Sequence, residues 1–78
     1  MVQAVAAEVR RLTEAAGWSG RELARRTGIA SNTMAVKLRG GQPFDVGELA
    51  DVSAVLDVDA ATIMARAEGI ASRARSDT

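Results

Sequence analysis

Seven positions between Ser31 and Arg39 carry side chains suited to recognition chemistry: Ser31, Asn32, Thr33, Ala35, Val36, Lys37 and Arg39. Together they offer hydroxyl and amide hydrogen-bonding groups, small apolar groups and two cations. Beside them, Ile29, Met34 and Leu38 give one apolar edge. A helix with one packing edge and a polar, small and basic remainder has the division of labour needed to enter the major groove of a duplex.

The segment around them supplies the means of positioning. Residues Trp18 to Gly41, WSGRELARRTGIASNTMAVKLRGG, read as two short helices joined by a tight turn. Leu23 and Ala24 form the inner face of the first, where the small Ala24 lets the second cross closely. Gly28 falls at the turn, where a positive φ costs least without a Cβ.

The remaining elements follow from periodicity and end signals. A first helix is expected over Val2–Ala16, with Val5, Val9, Leu12 and Ala16 facing inward, Glu8, Arg11 and Glu14 outward, and Gly17 as its stop. One device then recurs: a hydrophobic residue, an N-cap and a second hydrophobic residue one turn into the helix. Trp18, Ser19 and Leu23 form it, with Glu22 completing a capping box. Phe44, Asp45, Glu48 and Leu49 repeat it, and Val58, Asp59 and Ile63 do so with Thr62 in place of the acid. Ile29 and Met34 staple the second short helix, but its N-cap position holds Ala30, an omission of ~1 kcal/mol. Either Ser31 caps one residue later, or free amides are left to meet a phosphate. A fourth helix is expected over Val46–Leu56 with Val46, Leu49, Val52, Val55 and Leu56 inward. A fifth is expected over Ala60–Glu68, stopped at Gly69. This makes one domain over 1–69 and a tail over 70–78, frayed or continuing the fifth helix.

Composition bounds the function. In 78 residues there is no Cys and no His, which removes thiolate or imidazole metal ligands and Cys or His nucleophiles. The dense acids Asp45, Glu48 and Asp51 are explained by a cap and a helix face, so no enzyme, metal or cofactor is expected. No apolar run approaches the ~20 residues of a membrane span, and no basic-then-apolar leader opens the chain, so a cytoplasmic protein is expected. Net charge is zero, yet residues 1–39 carry seven bases against three acids and residues 40–78 three against seven. Such asymmetry signals a partner, or two ordinary solvated faces.

Leu23-Ala24, Gly28-Ile29, Met34, Leu38, Gly40 and the run from Leu49 to Leu56 together resemble the phage repressor and Cro type (XRE-like) of helix-turn-helix domain, over about residues 3–68. The sequence R-G-x-x-P-F from Arg39 to Phe44, followed by E-L, looks like the actinobacterial or actinophage variant. The resemblance implies an all-α, five-helix bundle of the lambda-repressor-like kind, in which the second and third helices form the reading head. It places Ser31, Asn32 and Val36 at base edges, and Arg21, Lys37 and Arg39 at phosphates, with Lys37 able to do either. Asn32 would bond adenine and Val36 would meet a thymine methyl. Arg25 and Arg26 fit a solvated face better than DNA. Three positions depart from the pattern: Gly20 where Gln is common, Ala30 at the third helix start, and Ala35-Val36 on the groove face. Phosphate contacts and DNA shape then carry more of the affinity.

The expectation is a sequence-specific double-stranded DNA-binding transcriptional regulator, a small repressor or Cro-like switch of phage or prophage. It would act as a homodimer on two half-sites. Met64, Ala67 and Ile70 are candidate dimer contacts, while Ile63 reads rather as core. No membrane and no small-molecule substrate is implied. A protein-interaction module on the same fold, such as an antitoxin or adaptor, is the alternative.

Overall fold

A computed structural model describes residues 1–76, with side chains to Arg73. It is all helical: α1 (Val2–Ala15), α2 (Gly20–Thr27), α3 (Ser31–Leu38), α4 (Val46–Leu56) and α5 (Ala60–Ser76). Each helix sends one large side chain to full burial: Val9, Leu23, Met34, Val52 and Ile63. Leu12, Trp18, Ile29, Phe44, Leu49 and Leu56 close around them. α1 packs most extensively on α5, and α2 on α3 and α4. Among the described residues, α5 meets α1 and α4 but neither α2 nor α3.

The ends of the helices show how the chain sets these angles. At the end of α1 the Gly17 N–H donates to Glu14 O (2.9 Å) and the Trp18 N–H to Thr13 O (3.0 Å), a Schellman turn. Ser19 Oγ accepts the Glu22 N–H at 3.2 Å and caps α2. α2 ends at Gly28, φ +79°, whose N–H returns to Ala24 O at 2.9 Å. No atom lies within 4 Å of a Cβ placed there, so the backbone angle, not space, demands glycine. A full capping box opens α4: Asp45 Oδ1 accepts the Glu48 N–H (2.7 Å) and Glu48 Oε1 the Asp45 N–H (2.9 Å).

Five expectations require correction. Ala16 is exposed and caps α1 rather than lining the core. Glu8 is not on the outer face but 2% exposed, because α5 lies across that side of α1. Val46, expected inward, is 88% exposed: it opens α4 before the helix reaches the core at Leu49 and Val52. The capping box at α2 is half made, because the Glu22 carboxylate turns to Arg25 and Arg26. Gly69 does not stop α5, which runs on to Ser76, so described tail residues continue the helix. Thr78 and Asp77 lie outside the described residues.

α4 ends with Asp57 in the left-handed region (φ +57°), the sole non-glycine so placed among the described residues. Its N–H and that of Val58 close onto Ala54 and Ser53 carbonyls at 3.3 and 3.0 Å. Aspartate tolerates this region at a cost that glycine avoids. Asp57→Gly is therefore expected to stabilise the fold by up to ~1 kcal/mol, raising the melting temperature in a calorimetric scan by a few degrees.

Candidate nucleic-acid interface

Burial along α3 follows its sequence. Met34 is fully buried, Lys37 nearly so, and Leu38 and Thr33 half-buried. Ser31, Asn32, Ala35 and Arg39 are exposed, and Val36 half-exposed. At 3.6 residues per turn these five share an arc of about 140°. Arg21, Ser31, Asn32 and Ala35 line one cleft of about 450 Å³, floored by Gly20 and Leu38. Gly20 has a packing reason: a Cβ there would lie 3.1 Å from Leu38 Cδ1, so glycine lets the start of α2 settle against α3.

The start of α3 has no side-chain cap on Ala30. Ser31 is the first helical residue and does not cap. Asn32 Oδ1 accepts the Thr33 N–H at 3.0 Å, which satisfies one of the free amides locally and leaves the Asn32 NH2 pointing elsewhere.

The cations divide sharply. Arg25 and Arg26 both hold Glu22, and the Arg26 guanidinium lies 4.1 Å from the Trp18 ring centroid. Arg10 donates to the Leu38 carbonyl at the C-terminus of α3, a role unread in the sequence. Lys37, expected at a phosphate, is 8% exposed, and its ammonium donates to Glu48 Oε1, tying α3 to the capping box of α4. Its partner lies eleven residues on, in another helix, beyond the reach of periodicity. Among the described residues of α2, α3 and the Arg39 cap, only Arg21 and Arg39 are cations without an ion-pair partner. Val36 is turned toward the following loop, where its carbonyl accepts the Gly41 N–H at 3.0 Å.

At the expected dimer positions, Met64 and Ile70 are partly exposed. Ala67 is 0% exposed, its methyl used within the chain's own core, so it cannot contact a second copy.

Three carboxylates are held below the usual glutamate range. Arg11 lowers Glu8 by hydrogen bonding, against opposing burial and with help from Arg66. Arg25 chiefly lowers Glu22. Lys37 chiefly lowers Glu48, aided by the Asp45 N–H. A lowered folded pKa gives stability that is complete above the unfolded value, near ~4.3, and lost as pH falls through the folded values. Thermal melts from neutral pH downward should hold level and then drop below that point. Glu8→Gln should start less stable and show a shallower acid drop, since glutamine has no proton to take up.

No protein-family model matches the chain, and no curated sequence matches it. Among solved structures, the fold is similar to the crystal structure of the clp gene regulator ClgR from Corynebacterium glutamicum. The TM-score is 0.85 with 25% identity, over 96% of this chain and 82% of that one. The five helices thus form an all-α helix-turn-helix bundle whose backbone is similar to that of a gene regulator.

Proposed function

We propose that this protein is a transcriptional regulator that binds double-stranded DNA sequence-specifically, with α3 in the major groove. The observation that carries the reading is the pairing pattern of its cations. Among the described residues of α2, α3 and the Arg39 cap, two cations are left without an internal partner: Arg21, which lines one cleft with Ser31, Asn32 and Ala35, and Arg39, which lies on their exposed arc. The structural likeness to the gene regulator ClgR supports it. Ser31 and Asn32 read base edges, Ala35 and the exposed part of Val36 meet thymine methyls, and Arg21 and Arg39 bind phosphates. Lys37 is assigned to the scaffold instead.

So small an arc reaches few bases, so useful affinity requires two half-sites about 34–36 Å apart and a homodimer. Met64 and Ile70 are its remaining candidate contacts. The finer assignment, a small repressor or Cro-like switch of phage or prophage type acting in the cytoplasm, rests on the resemblance of Leu23-Ala24, Gly28-Ile29, Met34, Leu38 and Gly40 to the repressor and Cro pattern, with the R-G-x-x-P-F turn from Arg39 to Phe44 pointing to the actinobacterial or actinophage variant.

Fluorescence anisotropy with duplexes from the region upstream of the protein's own coding sequence tests this. One duplex should bind tightly, with affinity falling steeply between about 50 and 200 mM salt. A flat salt response, or equal binding to every sequence, would favour the protein-interaction module.

A further inference from the structure

The C-terminal half is acidic, yet two of its three arginines, Arg66 and Arg73, converge with Arg11 of α1 on one cleft. The cleft measures about 660 Å³ and is also lined by Glu8, Gly69, Ile70 and Ser72. Glu8 is the organising residue. Its carboxylate, 3% exposed, receives Arg11 Nε at 3.0 Å and Nη2 at 2.6 Å, and Arg66 Nη1 at 3.2 Å. Each guanidinium has five N–H donors in a rigid fork, so this leaves several unused on both. The two side chains remain 55% and 49% exposed. A buried carboxylate thus fixes two guanidinium groups in place while their outer edges face the cleft, and this fixing lowers the entropy cost of engaging a ligand. Arg73 adds a third cation and has no ion-pair partner among the described residues. The cleft is open to solvent at Gly69, where a Cβ would meet no atom within 4 Å.

Among the described residues, three arginines against one carboxylate, with the apolar Ile70 at the edge, match a phosphate group by charge and by bidentate geometry. We propose that this α1–α5 cleft is a second anion site, which binds the phosphate of a small phosphorylated ligand. The alternative source of that chemistry is the DNA backbone. α5 touches neither α2 nor α3, so the cleft belongs to a different part of the bundle from the α2–α3 face, which favours the free ligand. The site does not depend on the DNA-reading assignment.

The test titrates inorganic pyrophosphate into the full chain at constant ionic strength, followed by 31P NMR and calorimetry. Saturable one-site binding is expected. Arg73→Gln should weaken it about tenfold, in line with one charged hydrogen bond. Because Arg73 holds no internal partner, its melting temperature should not change. Arg66→Gln should weaken binding as well, whereas the double variant Arg21→Gln/Arg39→Gln should bind as wild type. Non-saturating binding, or binding indifferent to Arg73→Gln, overturns the site. So does loss of binding in Arg21→Gln/Arg39→Gln, which would put pyrophosphate on the α2–α3 face. A fall in the salt slope of duplex binding in Arg73→Gln assigns the arginines to the DNA backbone, and a changed sedimentation mass assigns them to a self-interface. Either outcome overturns the free-ligand assignment.

Discussion

Met34→Ala is expected to cost about 2–5 kcal/mol, the usual range for removing a fully buried large side chain. At 78 residues the whole fold is worth roughly 4–12 kcal/mol, so this one truncation takes a large share of it. Met34 is the single large α3 side chain at full burial, among Val9, Leu23, Val52 and Ile63 from the other four helices. The void it leaves opens beneath α3. Urea unfolding followed by circular dichroism should show a much lower midpoint. Met34→Leu, which keeps most of the volume, should cost less than about 1.5 kcal/mol. Equal losses for both variants would mean that α3 is not seated through this residue.

The second large effect concerns binding. Arg21→Ala and Arg39→Ala should each lower DNA affinity for every sequence alike and reduce the salt slope by about 1, with the double variant losing about 2. Neither should move the melting temperature appreciably, because neither side chain holds an internal partner. Lys37→Ala is the instructive contrast. It strips Glu48 of its ammonium and should lower stability with the slope unchanged. If Lys37→Ala altered the slope and Arg39→Ala did not, the phosphate assignments would be reversed. Asn32→Ala should act differently again, costing about 1–3 kcal/mol at one base position and little elsewhere.

How much of this was legible in the sequence depended on the range of the interaction. Short-range signals translated directly. The Asp45–Glu48 capping box, the Ser19 cap and the turn at Gly28 sit where their spacing put them, since each is settled within four residues. Long-range contacts were invisible. Glu8 falls on the polar side of an α1 helical wheel, and only the passage of α5 across that side buries it. Lys37 reads as one more basic residue on a reading helix until α4 brings Glu48 to it. Gly69 mimics a stop, but α5 keeps helical geometry through it. Gly20 looked like a lost contact and is a point of close helix approach, measurable only once Leu38 is in place. The reading arc was legible as composition. Its division into engaged and unengaged cations was not, because Lys37 finds its partner, Glu48, only across the packing of α3 on α4.

The burial pattern of α3 also bears on how such a protein diverges. The positions that hold the bundle, Met34, Lys37 and Leu38, share no side chain with those that face outward, Ser31, Asn32, Ala35 and Arg39. Surface substitutions away from packed features seldom shift stability by more than about 0.5 kcal/mol. On the proposed reading, mutations at the outward set would change operator preference almost free of folding constraint, while those at the inward set would first cost stability. If α3 reads DNA as proposed, it separates heritable structure from heritable specificity along its two sides, so that duplicated copies would drift apart in target while remaining the same machine.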